Sequence, residues 1–353
     1  MTMTEQTKLI EILDPQAGKV RETVLTGEAP VNEQSALMKN GERMSLKEAA
    51  TTYSSTFPQL LQADLQTRFF NTYRGIPMTH QLWVDNMRSN RPTEQYLKDS
   101  PLGTAPKVLE GHPYPRVELD LDEVVNIANA KYGFIIPVTK EAIKFDQYNV
   151  LMQRTADRAR SMAYTKEIAA YQVISTSGNF TRTTAAGDND IGNNTAATQF
   201  SATGLSTAFK TLQTMKDSKS GVYLNVMPNT LIAGVGLTWA INQLIMSPTL
   251  SGQGETDAII LHGQGASNPF RGVVNRIVIT PFLAQYNWVL MEARRAVMFQ
   301  QVWDLEMTQT GPTNYNYFQS DELEFKVSEF WGVGMLDDRF AYYSSDSTGP
   351  TVT

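Results

Sequence analysis

The side chains able to do chemistry in this chain are few and widely spread. There is no cysteine, so thiol nucleophiles, disulfides and thiolate-bound metals are excluded. The three histidines, His80, His112 and His262, stand 32 and 150 residues apart. None has the i, i+4 or short spacing that brings two imidazoles onto one metal ion. They read as surface or loop histidines, and no metal or cofactor is expected. No G-x-S-x-G turn is present to raise a serine nucleophile. GVGLTW (Gly234, Gly236) and GQGASN (Gly263, Gly265) each lack the third glycine of a dinucleotide loop and read as turns. GDNDIG at 187–192 begins like a calcium loop, but Gly192 falls where a ligand is needed and no glutamate follows in register, so it too reads as a surface turn. Glu118, Asp120 and Asp122 could pair as acid and base, but strand alternation puts them on a solvated face. Asn179-Phe-Thr181 and Asn193-Asn-Thr195 match the glycosylation pattern, which carries no weight without a secretory signal. Nothing converges on a reaction, and the expectation is a protein that is not an enzyme.

The elements that would have to position any site are more informative than the site residues. Asp146 to Thr176 contains neither Gly nor Pro, with Asp146 placed to cap its first turn. Tyr148, Met152, Ala156, Ala159, Ala163, Ala170 and Ile174 recur at helical spacing, with Glu167 intervening. A rod of about 45 Å is predicted, its inner side mostly alanine, so other segments pack close along it. FPQLLQADLQTRFFNTYR, from Phe57, predicts a second amphipathic helix with Pro58 in its first turn.

Between them lies a Pro/Gly-rich stretch (Pro92, Pro101, Gly103, Pro106, Gly111, Pro113, Pro115) followed by alternation. Val117, Leu119, Leu121, Val125 and Ile127 share one face, with Glu123 as the exception. This predicts a long two-stranded ribbon over about 90–130 with its tip in the Pro/Gly-rich stretch. Such a ribbon is marginal in water on its own and needs a surface to lie on. KYGFIIPVTKEAIKFD then reads as a more fully buried strand leading into the long helix.

The remaining chain predicts a helix over about 203–217, a strand in VYLNVMPNTLIAG and a helix over 237–246. VVNRIVITPFL and NWVLMEARRAVMF read as strands, and two or three aromatic strands follow from Tyr315 onwards. Residues 1–56 carry one aromatic, Tyr53, and read as an arm ordered by docking elsewhere or not at all. The net charge is −6, which argues against nucleic acid or an anionic membrane as a tightly gripped partner. From Ser220 to Gly254 there is no charged residue, yet Pro228, Gly234, Gly236 and Pro248 interrupt it. A buried strand and a buried helix explain that stretch better than a membrane span, and a soluble protein is expected.

The order of these parts carries the functional signal. STFPQLLQADL at 55–65, EGHPYP at 110–115, LNVMPNTLIAGVGLTWAINQLIMSP at 224–248, NPFRGVVNRIVITPFL at 268–283, NWVLMEA at 287–293 and FKVSEFWGVGMLDDRF at 325–340 follow one another as in a phage head protein. The chain resembles the Hong Kong 97 capsid fold of tailed-phage major head proteins, and within it the Mu-type major head subunit. The resemblance implies an α+β fold: an N-terminal arm (1–56), a helix and lead-in (57–89) and an extended hairpin loop (90–130). A peripheral domain with a long spine helix (131–185 and 305–353) and an axial domain (186–304) would complete it. It implies a major capsid protein assembling in the host bacterial cytoplasm into hexamers and pentamers of an icosahedral shell around double-stranded DNA. Portal, scaffold and decoration proteins would be partners, the DNA would be touched weakly and non-specifically, and no membrane would be involved. Lys98, Leu102, Lys107, Leu109, Tyr114 and Arg116 would lie on the inter-subunit loop. Some relatives join a loop lysine covalently to an asparagine. Lys98 and Lys107 lie in the right region, but as ordinary solvated lysines they need no such role. The alternative from another class is a nanocompartment shell holding protein cargo, or another virion component, distinguished by what the particles contain.

Overall fold

The computed structural model describes residues 37–39, 42–44, 57–99, 105, 107–114, 116, 121–139, 141–142, 148–182, 192–217, 220–247, 268, 270–310, 319, 322–346 and 349. The elements in order are β1 (Leu37–Lys39), β2 (Glu42–Met44), α1 (Phe57–Gly75), β3 (Asp85–Arg88), β4 (Thr93–Asp99), β5 (Leu121–Ala128), β6 (Ala130–Thr139) and α2 (Tyr148–Ser175). They continue with β7 (Thr195–Ala196), α3 (Ala202–Gln213), β8 (Thr230–Gly234), α4 (Thr238–Ile241), β9 (Arg276–Thr280) and β10 (Trp288–Met291). The last are β11 (Val297–Gln309), β12 (Glu322–Met335) and β13 (Ala341–Ser344). The architecture is α+β, as expected.

The chain divides into two compact units. The described residues within Met1–Thr72, Ile135–Ala159 and Met307–Lys326 form the first, and those within Tyr73–Phe134, Arg160–Glu306 and Val327–Thr353 form the second. In the first, α1 turns Leu65 and Phe69, one turn apart, fully inward. Gln66 Nε2 donates to the Met307 carbonyl at 3.0 Å. The Thr310 amide donates to the Glu324 carbonyl at 2.9 Å.

The second unit is built on the five-stranded sheet β7-β13-β10-β8-β9. β8, β10 and β13 pair antiparallel, while β9 and β7 close the edges in parallel. Every residue of β8, β10 and β13 is buried. Strands covered on both faces lose the alternation of a half-exposed sheet, which is why TLIAG and WVLM read as plain apolar runs. Trp288 sits in this core with Phe200 edge-on at 5.6 Å and Tyr342 tilted at 5.7 Å, its indole N–H donating to the Thr198 carbonyl at 3.2 Å. α3 packs Leu205, Ala208 and Leu212 into the same cluster, and Ser201 caps it by accepting from the Gly204 amide.

A second sheet has the order β3-β11-β12-β6, with β3 parallel to β11. β6 is its edge strand, which suits Pro137. The long helix α2 runs 28 residues, about 42 Å. Ala156, Ala159, Ala163, Ala170 and Ile174 are buried along one side, as their spacing predicts.

Several expectations need correction. β6 is not fully buried: it alternates, and only Ile136 and Val138 reach the interior. VYLNVMPNTLIAG is a strand only over Thr230–Gly234, because Asn225 takes a positive φ of 51° and turns the chain before it. The helix predicted over 203–217 stops at Gln213, and Lys216 instead bridges to Tyr223. The helix over 237–246 is an α turn followed by a π turn over Asn242–Met246, and it is buried on one side only. His80 is no surface histidine; it lies buried in a 3-10 turn, Thr79–Leu82. The expectations for His262, GQGASN up to Ser267, GDNDIG before Gly192, Asp146, Glu118, Asp120 and most of the arm fall outside the described residues. Among the described residues no helix is long and apolar enough to cross a membrane, and no cluster could hold a metal ion.

Candidate functional site

The ribbon is the part of the molecule least accounted for by its own packing. β4 and β5 keep one antiparallel register from Thr93↔Ala128 to Lys98↔Glu123, then slip to Asp99↔Leu121 at a bulge. Leu97 and Val124 are directly opposite each other and stand 56% and 49% exposed. Cross-strand apolar pairs of this kind stabilise a sheet when something covers them. Within this chain they face solvent.

The root of the ribbon is fixed by hydrogen bonds. The Asn129 amide donates to the Pro92 carbonyl at 2.8 Å, and Asn129 Nδ2 donates to the Arg91 carbonyl at 2.7 Å and to Ser89 Oγ at 3.1 Å. Ser89 Oγ in turn donates to Glu94 Oε1 at 2.9 Å. Gln300 Nε2 donates to the Tyr96 hydroxyl at 2.7 Å, tying β4 to β11. Burial pushes the Tyr96 phenol above its ordinary pKa, while the hydrogen bond from Gln300 pulls the other way. Gly332 makes this root possible: a Cβ there would come within 2.5 Å of Asn129 Oδ1 and 2.6 Å of the Ala128 carbonyl.

Of the residues expected on the inter-subunit loop, Lys98 pairs through its backbone with Glu123 and Leu102 lies outside the described residues. Lys107, Leu109, Tyr114 and Arg116 are all exposed, Tyr114 at 85%. Leu109 and His112 are brought together by a turn in which the His112 amide donates to the Leu109 carbonyl at 3.1 Å, with Gly111 at φ 80°.

Sequence reading missed two buried ionic groups in the second unit. Lys166 Nζ donates to Glu329 Oε1 at 2.9 Å and to Gln301 Oε1 at 3.4 Å, and Tyr73 donates its hydroxyl to the same Glu329 oxygen at 2.9 Å. Burial first, then the Glu329 carboxylate, push the Tyr73 phenol far above its ordinary pKa, so it stays a neutral donor. Beside it His80 Nδ1 lies 3.1 Å from Glu167 Oε1, and Thr79 donates to Glu167 Oε2 at 3.1 Å. In the other group Arg339 bridges Asp337 (2.7 Å) and Asp217 (2.9 Å), while Arg182 pairs with Asp338 at 2.9 Å. Burial works against the Arg339 charge, but the hydrogen bonds and charge of Asp337 outweigh it and raise the guanidinium pKa. The partners lie 163, 87 and 122 residues apart in sequence, so no local motif announces them.

A cleft of about 290 Å3 opens beside the first group, lined by His80, Gln81, Arg88, Lys166, Gln301 and Asp304. Its polar side chains are already partnered: Lys166 with Glu329, His80 with Glu167, and Arg88 with Asp304 at 3.1 Å. That arrangement ties elements of the second unit together.

The family is decided by sequence. The family described as phage capsid protein matches residues 122–344, well over half of the chain. The chain belongs to the phage capsid protein family. No curated protein matches it at the level of sequence. Among solved structures it is similar to one of Microbacterium phage Oxtober96, at 12% identity and a TM-score of 0.48, covering 77% of this chain and 92% of that one. It is similar to the capsid of a native GTA particle, at 14% identity and 0.48, covering 78% and 93%. It is also similar to a virus-like particle from Pyrococcus furiosus, at 10% identity and 0.47, covering 80% and 98%. The capsid protein thus has a structural role in the phage virion.

Proposed function

We propose that this capsid protein builds an icosahedral head of hexamers and pentamers around double-stranded DNA, in the manner of Mu-type major head subunits. The ribbon over 90–130 would lie across a neighbouring subunit, with Lys98, Leu102, Lys107, Leu109, Tyr114 and Arg116 on the contact surface. The observation that carries this reading is the exposed Leu97–Val124 pair on a two-stranded ribbon whose anchors, among the described residues, lie toward its root. A surface supplied by another copy would cover that pair and make the ribbon stable. Residues 131–185 and 305–353 would form the peripheral domain around the spine helix, residues 186–304 the axial domain, and residues 1–56 an arm. Assembly would take place in the host bacterial cytoplasm, with portal and scaffold proteins and with decoration proteins where the head carries them. The net charge of −6 supports weak, non-specific contact with the packaged DNA.

Deleting Ser100 to Pro113 tests the reading. The variant should remain soluble with an unchanged far-UV spectrum and form no closed particles by electron microscopy. Normal shells from it would overturn the role given to the ribbon, and wild-type particles filled with protein instead of DNA would overturn the head assignment.

A further inference from the structure

His80 holds one nitrogen back from the buried network. Its amide donates to Glu167 Oε1 at 3.3 Å, and its Nδ1 lies 3.1 Å from the same oxygen. Thr79 donates to Glu167 Oε2 at 3.1 Å and stands 2.6 Å from the Tyr171 hydroxyl. Burial pushes the Tyr171 phenol above its ordinary pKa, so it stays a neutral donor to Thr79. Both Glu167 oxygens therefore accept, and Nδ1 carries the proton it shares with Oε1. In the neutral ring the other nitrogen, Nε2, is then a bare lone pair. It has no partner among the described residues, and it is not one of the sealed, unpartnered atoms of the core, such as Trp83 Nε1 and Trp331 Nε1. His80 is 2% exposed and lines the cleft of about 290 Å3, so the little it exposes opens there.

The rest of the cleft says what would meet that lone pair. Lys166 and Arg88 are neutralised by Glu329 and Asp304, at 2.9 and 3.1 Å, so a free ion finds no unmatched charge. Among the described residues no group of ligating side chains joins His80 around a metal ion. Phe299 lies at depth, its ring centroid 5.4 Å from that of His80, while Gln81 and Asn86 bring carboxamides to the exposed rim. The Asn86 carboxamide has no side-chain partner among the described residues. A carboxamide sets donors and an acceptor side by side, as neighbouring hydroxyls require. One water would satisfy Nε2, but it fills only about 30 Å3. The cleft is at the small end of ligand sites and suits a single ring of about a dozen heavy atoms. We propose that this cleft binds a neutral, polyhydroxylated molecule of monosaccharide size. One hydroxyl donates to His80 Nε2 and others meet Asn86 and Gln81. The site lies within the second unit and does not depend on what a shell encloses.

The unassembled full-length subunit tests it, titrated with D-glucose, D-galactose, myo-inositol and glycerol. Binding is read by saturation-transfer NMR and by the ring nitrogens of the three histidines. One ring should carry its proton on Nδ1, and its Nε2 resonance should move with at least one of the three ring compounds, glycerol binding at least tenfold more weakly. His80→Asn keeps a donor for Glu167 where Nδ1 stood and removes the cleft acceptor. It should retain the fold and lose affinity about tenfold. Asn86→Ala, which alters only the rim, should weaken binding about threefold at an unchanged melting temperature and decides the matter if His80→Asn misfolds. No transfer from any compound at about 50 mM, where even a millimolar site is filled, overturns the site in favour of a water-filled cleft. Binding that survives both substitutions overturns it by placing the ligand elsewhere. Equal binding of glycerol, or a His80 ring protonated on Nε2 with Nδ1 bare, overturns it as well.

Discussion

The ribbon β4–β5 and the sheet β7-β13-β10-β8-β9 are made of the same hydrogen-bonded units, yet this chain covers their apolar side chains very differently. The longest ladders of the sheet run four or five residue pairs, shorter than the ribbon's, but β8, β10 and β13 are buried throughout. The ribbon has the longer ladder and leaves its Leu97–Val124 pair in solvent. Backbone pairing is therefore not what separates a self-sufficient sheet from a dependent one. The difference lies in how much apolar surface each strand removes from water, about 25 cal/mol for each Å2.

Substitutions can break or sharpen this contrast. Trp288→Ala removes the largest side chain of the buried sheet and should cost ~4 kcal/mol, read by urea denaturation of the unassembled subunit. A loss under 1 kcal/mol would mean that the sheet is not the source of stability. Lys166→Met should cost ~3 kcal/mol, because it strands the Glu329 carboxylate at 1% exposure. Adding Glu329→Leu should recover more than half of that, and no recovery would mean that the ion pair holds geometry an apolar pair cannot. Leu97→Ser with Val124→Ser should change free-subunit stability by less than ~0.5 kcal/mol each while impairing particle formation. A large loss of stability in the free subunit would place the ribbon among the self-sufficient parts and erase the contrast.

What could be read from sequence follows the same division. α2 was legible because Ala156, Ala159, Ala163, Ala170 and Ile174 repeat at the helical period along an uninterrupted segment. The pairing of β4 with β5 was legible in part because alternation is a local signal: read over Val117 to Ile127, it overlaps the described strand Leu121–Ala128. The central sheet was legible only as apolar runs, since strands buried on both faces carry no period and the parallel pairing of β8 with β9 joins segments more than forty residues apart. His80 reads as solvated for a related reason: a single histidine looks exposed until the fold brings the Glu167 carboxylate to it from 87 residues away. Lack of charge over 220–254 reads as a buried strand and a buried helix. Trp239 shows that an uncharged surface can also face outward.

The slip in register between Lys98 and Asp99 has one more consequence. On the root side six residue pairs hold a single alignment, clamped by Asn129 and Gln300. At the slip Asp122 has no opposite number, and an unpaired residue of this kind loosens the ladder locally. A ribbon bends more readily at such a joint than in the clamped pairs. The far end of the ribbon can therefore change direction while the pairs nearer the root keep their alignment.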